Sequence, residues 1–164
     1  MASTEIIDIV DEKNNIIGST DVTSAHDKKL MHRVVGIFVF DIRGNLYLQK
    51  GNKYGKLDLS VGGHVLQGET YEDAAKREMF EELGLTIPIN HVSTFLPSQT
   101  KLNHYWAIFT AIAPQDWQFK KTEEVSSLKK INLAEIQKMM RAEPDLFTPG
   151  FINTMTEFIQ IKQL

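Results

Sequence analysis

A chain of 164 residues, 42% hydrophobic and free of low-complexity runs, has the length for one domain with a substantial core and too little for two. With 18 basic and 21 acidic residues the net charge is -3, which lacks the basic excess of proteins that bind nucleic acid or anionic membranes. The chain has no cysteine, so disulfides, thiolate metal sites and cysteine nucleophiles are excluded.

The start, Met1 to Val10, carries two acidic residues and no basic run followed by an apolar one, and no stretch approaches the roughly 18 apolar residues of a membrane span. A cytoplasmic protein, one domain over 1–164, is expected. Ile6–Val10 and Ile16–Gly18 flank a turn-like Asp11–Asn15 and predict an edge hairpin. His32–Asp41 is almost continuously apolar, as a strand buried on both faces should be. Arg43-Gly44-Asn45 turns the chain into a second strand, Leu46–Lys50. A basic loop follows, then a short strand that ends in Gly62-Gly63. Thr70 is the predicted cap of a long helix, with Glu72 and Asp73 at its positive end and Gly84 as its stop. Further strands are predicted at His91–Leu96 and His104–Ala113. Asn132 with Glu135 caps a helix over Leu133–Ala142, and Thr148-Pro149 opens a last one. The pattern is an α/β fold, a mixed sheet with helices on both sides.

On the long helix, Glu78, Glu81 and Glu82 stand at i, i+3 and i+4 and share one face. Like charges at that spacing cost roughly 0.2–0.5 kcal/mol a pair, a conflict that a hard divalent cation would relieve. Mg²⁺ or Mn²⁺ prefers oxygen ligands and bridges carboxylates to phosphates, so diphosphate chemistry is a natural reading of such a face. An isolated E-x-x-E-E is more often a solvated surface. Here it lies inside Gly63–Leu85 (GHVLQGETYEDAAKREMFEELGL), which fits G-x5-E-x7-R-E-U-x-E-E-x-G-U throughout, with Met79 as the first bulky aliphatic U. At roughly 5–7% usage per residue, seven fixed matches arise by chance on the order of once in 10⁹ windows.

That segment resembles the signature box of Nudix hydrolases, which cleave a nucleoside diphosphate linked to another group. The resemblance implies a Nudix-type α/β/α sandwich with a mixed β-sheet. It implies that Glu78, Glu81 and Glu82 ligate Mg²⁺ or Mn²⁺, with the carbonyl of Gly62 as a further ligand. One of these glutamates, or Glu124 from a later loop, would be the base towards water. Glu69 and Arg77 would pair to support the site. The expected partner is a small-molecule diphosphate, with no nucleic acid or membrane, on a monomer or homodimer.

Outside the box, IIDIVDEKNNIIGSTDV, His32–Phe40 and LDLSVGGH resemble the isopentenyl-diphosphate-isomerase-like branch of that superfamily. Isomerases of this type have a cysteine where this chain has Gly62, so the resemblance keeps the metal chemistry and removes a principal proton-transfer group. His64 matches a metal-binding histidine of the isomerases. His26 and His32 lie near two others, one residue closer together than is usual, and the three are candidates for a second metal. Lys50, Lys53 and Lys56 flank the approach to the box and are the candidate diphosphate contacts. Tyr54, Tyr105 and Trp106 are candidates for stacking on a base, with Trp106 better placed for core packing.

Overall fold

The structure, a computed structural model, describes residues 4–50, 55–98 and 103–164. Among these residues nine strands, four α-helices and one short 3₁₀ helix follow one another. β1 (Ile6–Val10) and β2 (Ile16–Asp21) form the predicted antiparallel hairpin, with β2 at the sheet edge. A short α1 (Val22–Asp27) follows, capped by Asp21, whose carboxylate accepts the Ser24 amide at 2.9 Å. Six residues are too few to show helical periodicity, which is why no sequence pattern marks this turn.

β3 (His32–Phe40) is the hub. Its start touches β1 and its end touches β4 (Asn45–Lys50), while β6 (Val61–His64) runs antiparallel along it and β8 (His104–Ile112) runs parallel. The parallel register sets His32 opposite His104 and Phe40 opposite Ile112. β5 (Leu57–Asp58) pairs with β4, and β7 (Asn90–Phe95) with β8. β9 (Ser127–Asn132) pairs with β4 through a segment, SLKKIN, whose two lysines break the apolar alternation that would announce a strand.

Because β3 is buried on both faces, its alternate residues serve two cores. Val34 and Phe38 pack with Phe151, Met155 and Phe158 of α4 (Pro149–Lys162) and with Ile136 of α3 (Leu133–Ala142). Val35, Ile37 and Val39 pack with Ala74, Ala75, Met79 and Leu83 of α2 (Tyr71–Leu83). The expected mixed α/β sandwich results, with α2 on one side of the sheet and α3 and α4 on the other. The caps read from the sequence form: Thr70 accepts the Asp73 amide, Asn132 the Glu135 amide and Thr148 the Phe151 amide. Gly84 ends α2 at φ 66°, a left-handed conformation that glycine adopts without strain. Among the described residues no helix is long and apolar enough to cross a membrane.

Candidate active site

The acidic face of α2 turns inward onto β6. Glu78 and Glu82 are each only 6% exposed, and burial lifts their carboxyls to about 7 and about 8 respectively. Glu78 fits there because residue 63 is glycine. A Cβ at Gly63 would lie 2.0 Å from Oε1 of Glu78, so the carboxylate occupies the volume that any other residue would fill. Glu82 is held through Oε2, which accepts the Gln49 side-chain amide at 2.6 Å and the Gly62 backbone N–H at 3.3 Å.

Arg77 organises the remaining charges. Its guanidinium donates to both oxygens of Glu69, at 2.8 and 3.0 Å, and to the carbonyl of His64 at 2.9 Å. Nη1 reaches Glu78 Oε1 at 2.8 Å and Glu81 Oε2 at 3.1 Å. The Glu69–Arg77 pair expected from the sequence is therefore a two-point clamp that joins the loop before α2, the end of β6 and the acidic helix face. Glu69 is held below the usual carboxylate range, chiefly by these hydrogen bonds.

Glu124 arrives from the segment before β9. That segment is tied to the end of α2, where the Thr122 hydroxyl donates to the Glu82 carbonyl at 3.1 Å and accepts the Val125 amide at 3.0 Å. Carboxylate oxygens of Glu78, Glu82 and Glu124 lie within 4.8 Å of one another, close enough to share an ion. Burial and the neighbouring acids raise the Glu124 carboxyl. Glu81 stands outside this trio, half-exposed against Arg77. Buried carboxylates that repel one another and glycine backbone that admits them make an oxygen-rich setting suited to Mg²⁺ or Mn²⁺.

A second cluster lies at the mouth of the same region. His26, His32, His64 and His104 gather with ring centroids 4.4–5.8 Å apart. Nε2 of His26 and Nε2 of His64 are 3.2 Å apart. His32 donates Nδ1–H to the Leu30 carbonyl at 2.8 Å, and its Nε2 is buried with no partner among the described residues. Burial, and then the neighbouring imidazoles, push His64 down to about 4 and His104 to about 3. These two rings are neutral near pH 7, and ring nitrogens of His26, His32 and His104 lie within 4.8 Å of one another, close enough to share a borderline metal. His104 is the member that sequence reasoning missed. It opens a predicted strand, and only the parallel register of β3 and β8 sets it beside His32.

A cleft of about 310 Å³ reaches from Glu82 to the imidazoles of His26, His64 and His104 and is lined besides by Gln49, Asp58, Leu59, Gly62, Trp106, Thr148 and Gly150. Trp106 is core-packed, as expected, and also lines this cleft. Tyr105 is bound elsewhere, its hydroxyl donating to the Glu12 carbonyl. Lys50 ends β4 and Lys56 precedes β5, and neither lines the cleft; Lys53 and Tyr54 lie outside the described residues. Gln49, Thr122 and Asp58 are further contributors that sequence reasoning missed, since each acts through a neighbour remote in the chain.

An acidic loop–helix–loop docked on a mixed sheet is the architecture of Nudix proteins. The chain matches the NUDIX domain over residues 30–151 and belongs to the Nudix family. It is 36% identical over 157 residues to isopentenyl-diphosphate Delta-isomerase 2 of Photorhabdus laumondii, a match that covers 90% of this chain and 88% of that one. It is 29% identical over 160 residues to an uncharacterised Nudix hydrolase of Yersinia pestis, covering 93% and 84% of the two. Among solved structures, DR0079 of Deinococcus radiodurans superposes with a TM-score of 0.71 at 27% identity, over 85% of this chain and 90% of that one.

Proposed function

We propose that this protein is a Mg²⁺- or Mn²⁺-dependent pyrophosphohydrolase that cleaves a phosphoanhydride of a nucleoside di- or triphosphate, or a related nucleotide derivative, by water attack on phosphorus. The observation that carries the reading is the convergence of Glu78, Glu82 and Glu124 on one ion-sized space. These three would hold the metal, with Glu81 and the Gly62 carbonyl as further oxygen donors. When bound, the metal neutralises diphosphate charge and acidifies a water. The chain itself does the positioning. Arg77 fixes the Glu78 carboxylate, and Gln49 with the Gly62 amide fixes that of Glu82. Glu124, the most exposed of the three, is the acceptor for the proton of the attacking water. Lys50, Lys53 and Lys56 remain the candidate cations for the outer phosphate.

An isomerase reading draws on the name of the Photorhabdus relative, but Gly62 supplies no thiol. A side chain would find room at that position, where a Cβ would meet atoms no closer than 3.6 Å, so the difference is one of chemistry and not of space. The imidazole cluster supports a second, softer metal, and the orphaned Nε2 of His32 is the observation that favours it. A transition metal counted by mass spectrometry should survive Glu78→Gln and be lost in His104→Ala; its loss in Glu78→Gln alone would contradict two separate sites.

The hydrolase reading is tested by a phosphate-release screen over nucleoside di- and triphosphates, nucleotide sugars and dinucleoside polyphosphates with Mg²⁺ or Mn²⁺. Glu78→Gln is expected to lower turnover by at least about 10²-fold with an unchanged circular dichroism spectrum. Equal turnover by that variant would contradict the mechanism. Silence across the panel would favour a non-catalytic nucleotide-binding module.

A further inference from the structure

The cleft has polar and apolar lining residues. Gln49, Gly62 and Glu82 touch one another where the diphosphate reading places the metal. Leu59 and Gly150 close around the indole of Trp106; a Cβ at Gly150 would stand 3.2 Å from Cζ2, so bare backbone faces the ring there. Trp106, Leu59 and Val34 make this part of the cleft apolar, and among the described residues that line the cleft the basic groups are the imidazoles of His26, His64 and His104, with no lysine or arginine. With the diphosphate drawn to the glutamates, the apolar surface of Trp106 and Leu59 suits the uncharged part of the substrate.

Besides Glu82, the acid among the described residues that line the cleft is Asp58. Its Oδ1 accepts the Leu59 amide at 2.8 Å and the Thr148 hydroxyl at 2.7 Å, and Thr148 caps α4 through the Phe151 amide at 3.2 Å. The carboxyl is thus aimed by a strand and a helix together, and both donors fall on one oxygen. Burial raises this carboxyl from its ordinary value, and among the described residues no donor bonds its Oδ2. Asp58 is also the ladder partner of Gln49, the residue that grips Glu82. One strand spacing, about 5 Å, therefore separates it from the backbone of the strand that supports the glutamates.

Resting on the hydrolase reading above, we propose that Asp58 selects the substrate by accepting a hydrogen bond from an amino or hydroxyl group on its uncharged moiety, which lies against Trp106 and Leu59. A site built to pair a donor rejects the analogue that lacks it, because the buried acceptor is then left unpaired. Matched substrates separate the two sources of such a donor. ADP against IDP and CDP against UDP exchange an exocyclic amine for a carbonyl. ADP and CDP against their 2′-deoxy forms remove a sugar hydroxyl.

In the wild-type protein with Mg²⁺, kcat/KM is expected to favour the donor-bearing member by about tenfold or more in one of these two kinds of pair. Asp58→Asn should bring that ratio to within about threefold, through a higher KM for the donor-bearing member. Asp58→Ser, which withdraws the acceptor, should do the same, and melting temperatures of both variants establish that they fold. The assignment is overturned if the wild type prefers neither member in any pair, if the preference survives in a folded variant, or if both members are slowed equally, as a purely structural role would require. Calorimetric titration with the same nucleotides in Ca²⁺ reads the same ratios as Kd. A preference in Kd that Asp58→Asn removes, without turnover of any nucleotide, upholds the assignment of Asp58 and contradicts the hydrolase reading instead. Absence of binding to every nucleotide overturns the assignment.

Discussion

Gly62 and Gly63 are adjacent in β6 and make opposite demands. A Cβ at Gly63 collides with the Glu78 carboxylate, whereas one at Gly62 meets ordinary contacts. Gly63→Ala should therefore displace Glu78 and lower turnover by at least about tenfold, while Gly62→Ala should fold with a stability loss below about 1 kcal/mol. Enzyme assays and denaturant titrations of the two variants check this, and equal activity would contradict the packing of Glu78 on residue 63. The raised carboxyls of Glu78 and Glu82 give a pH dependence of definite sign. In the metal-free protein, acids at about 7 and about 8 favour folding below the unfolded value of roughly 4.3, and that contribution is lost as pH rises through the folded values. A divalent ion takes the place of those protons. The rise in melting temperature on adding Mg²⁺ should thus be larger at about pH 8.5 than at about pH 6. A rise that is larger at the lower pH would contradict an ion held by these two groups.

α2 was the most legible element, because its cap, acidic face and glycine stop all lie within one continuous stretch whose spacing can be counted. The groups that complete the site lie on segments brought together by strand pairing and by tertiary hydrogen bonds. Glu124 stands beside Glu123 in a polar stretch that has no period of its own. What brings it to Glu78 and Glu82 is Thr122 against the end of α2, a contact across 40 residues with no local signature. Thr122→Val should release that segment, lowering kcat about tenfold while costing roughly 1 kcal/mol of stability. Unchanged kcat would contradict the positioning of Glu124 through Thr122. The histidines follow the same logic. His26, His32 and His64 could be grouped by resemblance, but His104 joins them through the parallel pairing of β8 with β3, and a parallel register leaves no mark on either strand's own sequence. β9 and α1 were illegible for a different reason: one has its apolar alternation broken by lysines and the other is too short to show a period.

The molecule as a whole is a sheet whose central strand feeds two cores, and this was readable because seven consecutive residues without a polar side chain, Val34 to Phe40, have few other ways to be satisfied. Phe38, fully buried between Phe151 and Phe158, tests the core on the α4 side. Phe38→Ala should cost about 3–5 kcal/mol in denaturant unfolding, and a loss below about 1 kcal/mol would contradict this packing. The family likeness and the site geometry meet in a single chemical claim, that a water molecule attacks phosphorus under the control of the acidic helix. Turnover in H₂¹⁸O with Mg²⁺, using the nucleotide most rapidly cleaved, tests it most directly. One ¹⁸O atom is expected in a single phosphate-bearing product, formed at least about 10²-fold more slowly by Glu78→Gln. Products free of ¹⁸O, or labelled products that form equally fast in Glu78→Gln, would contradict it.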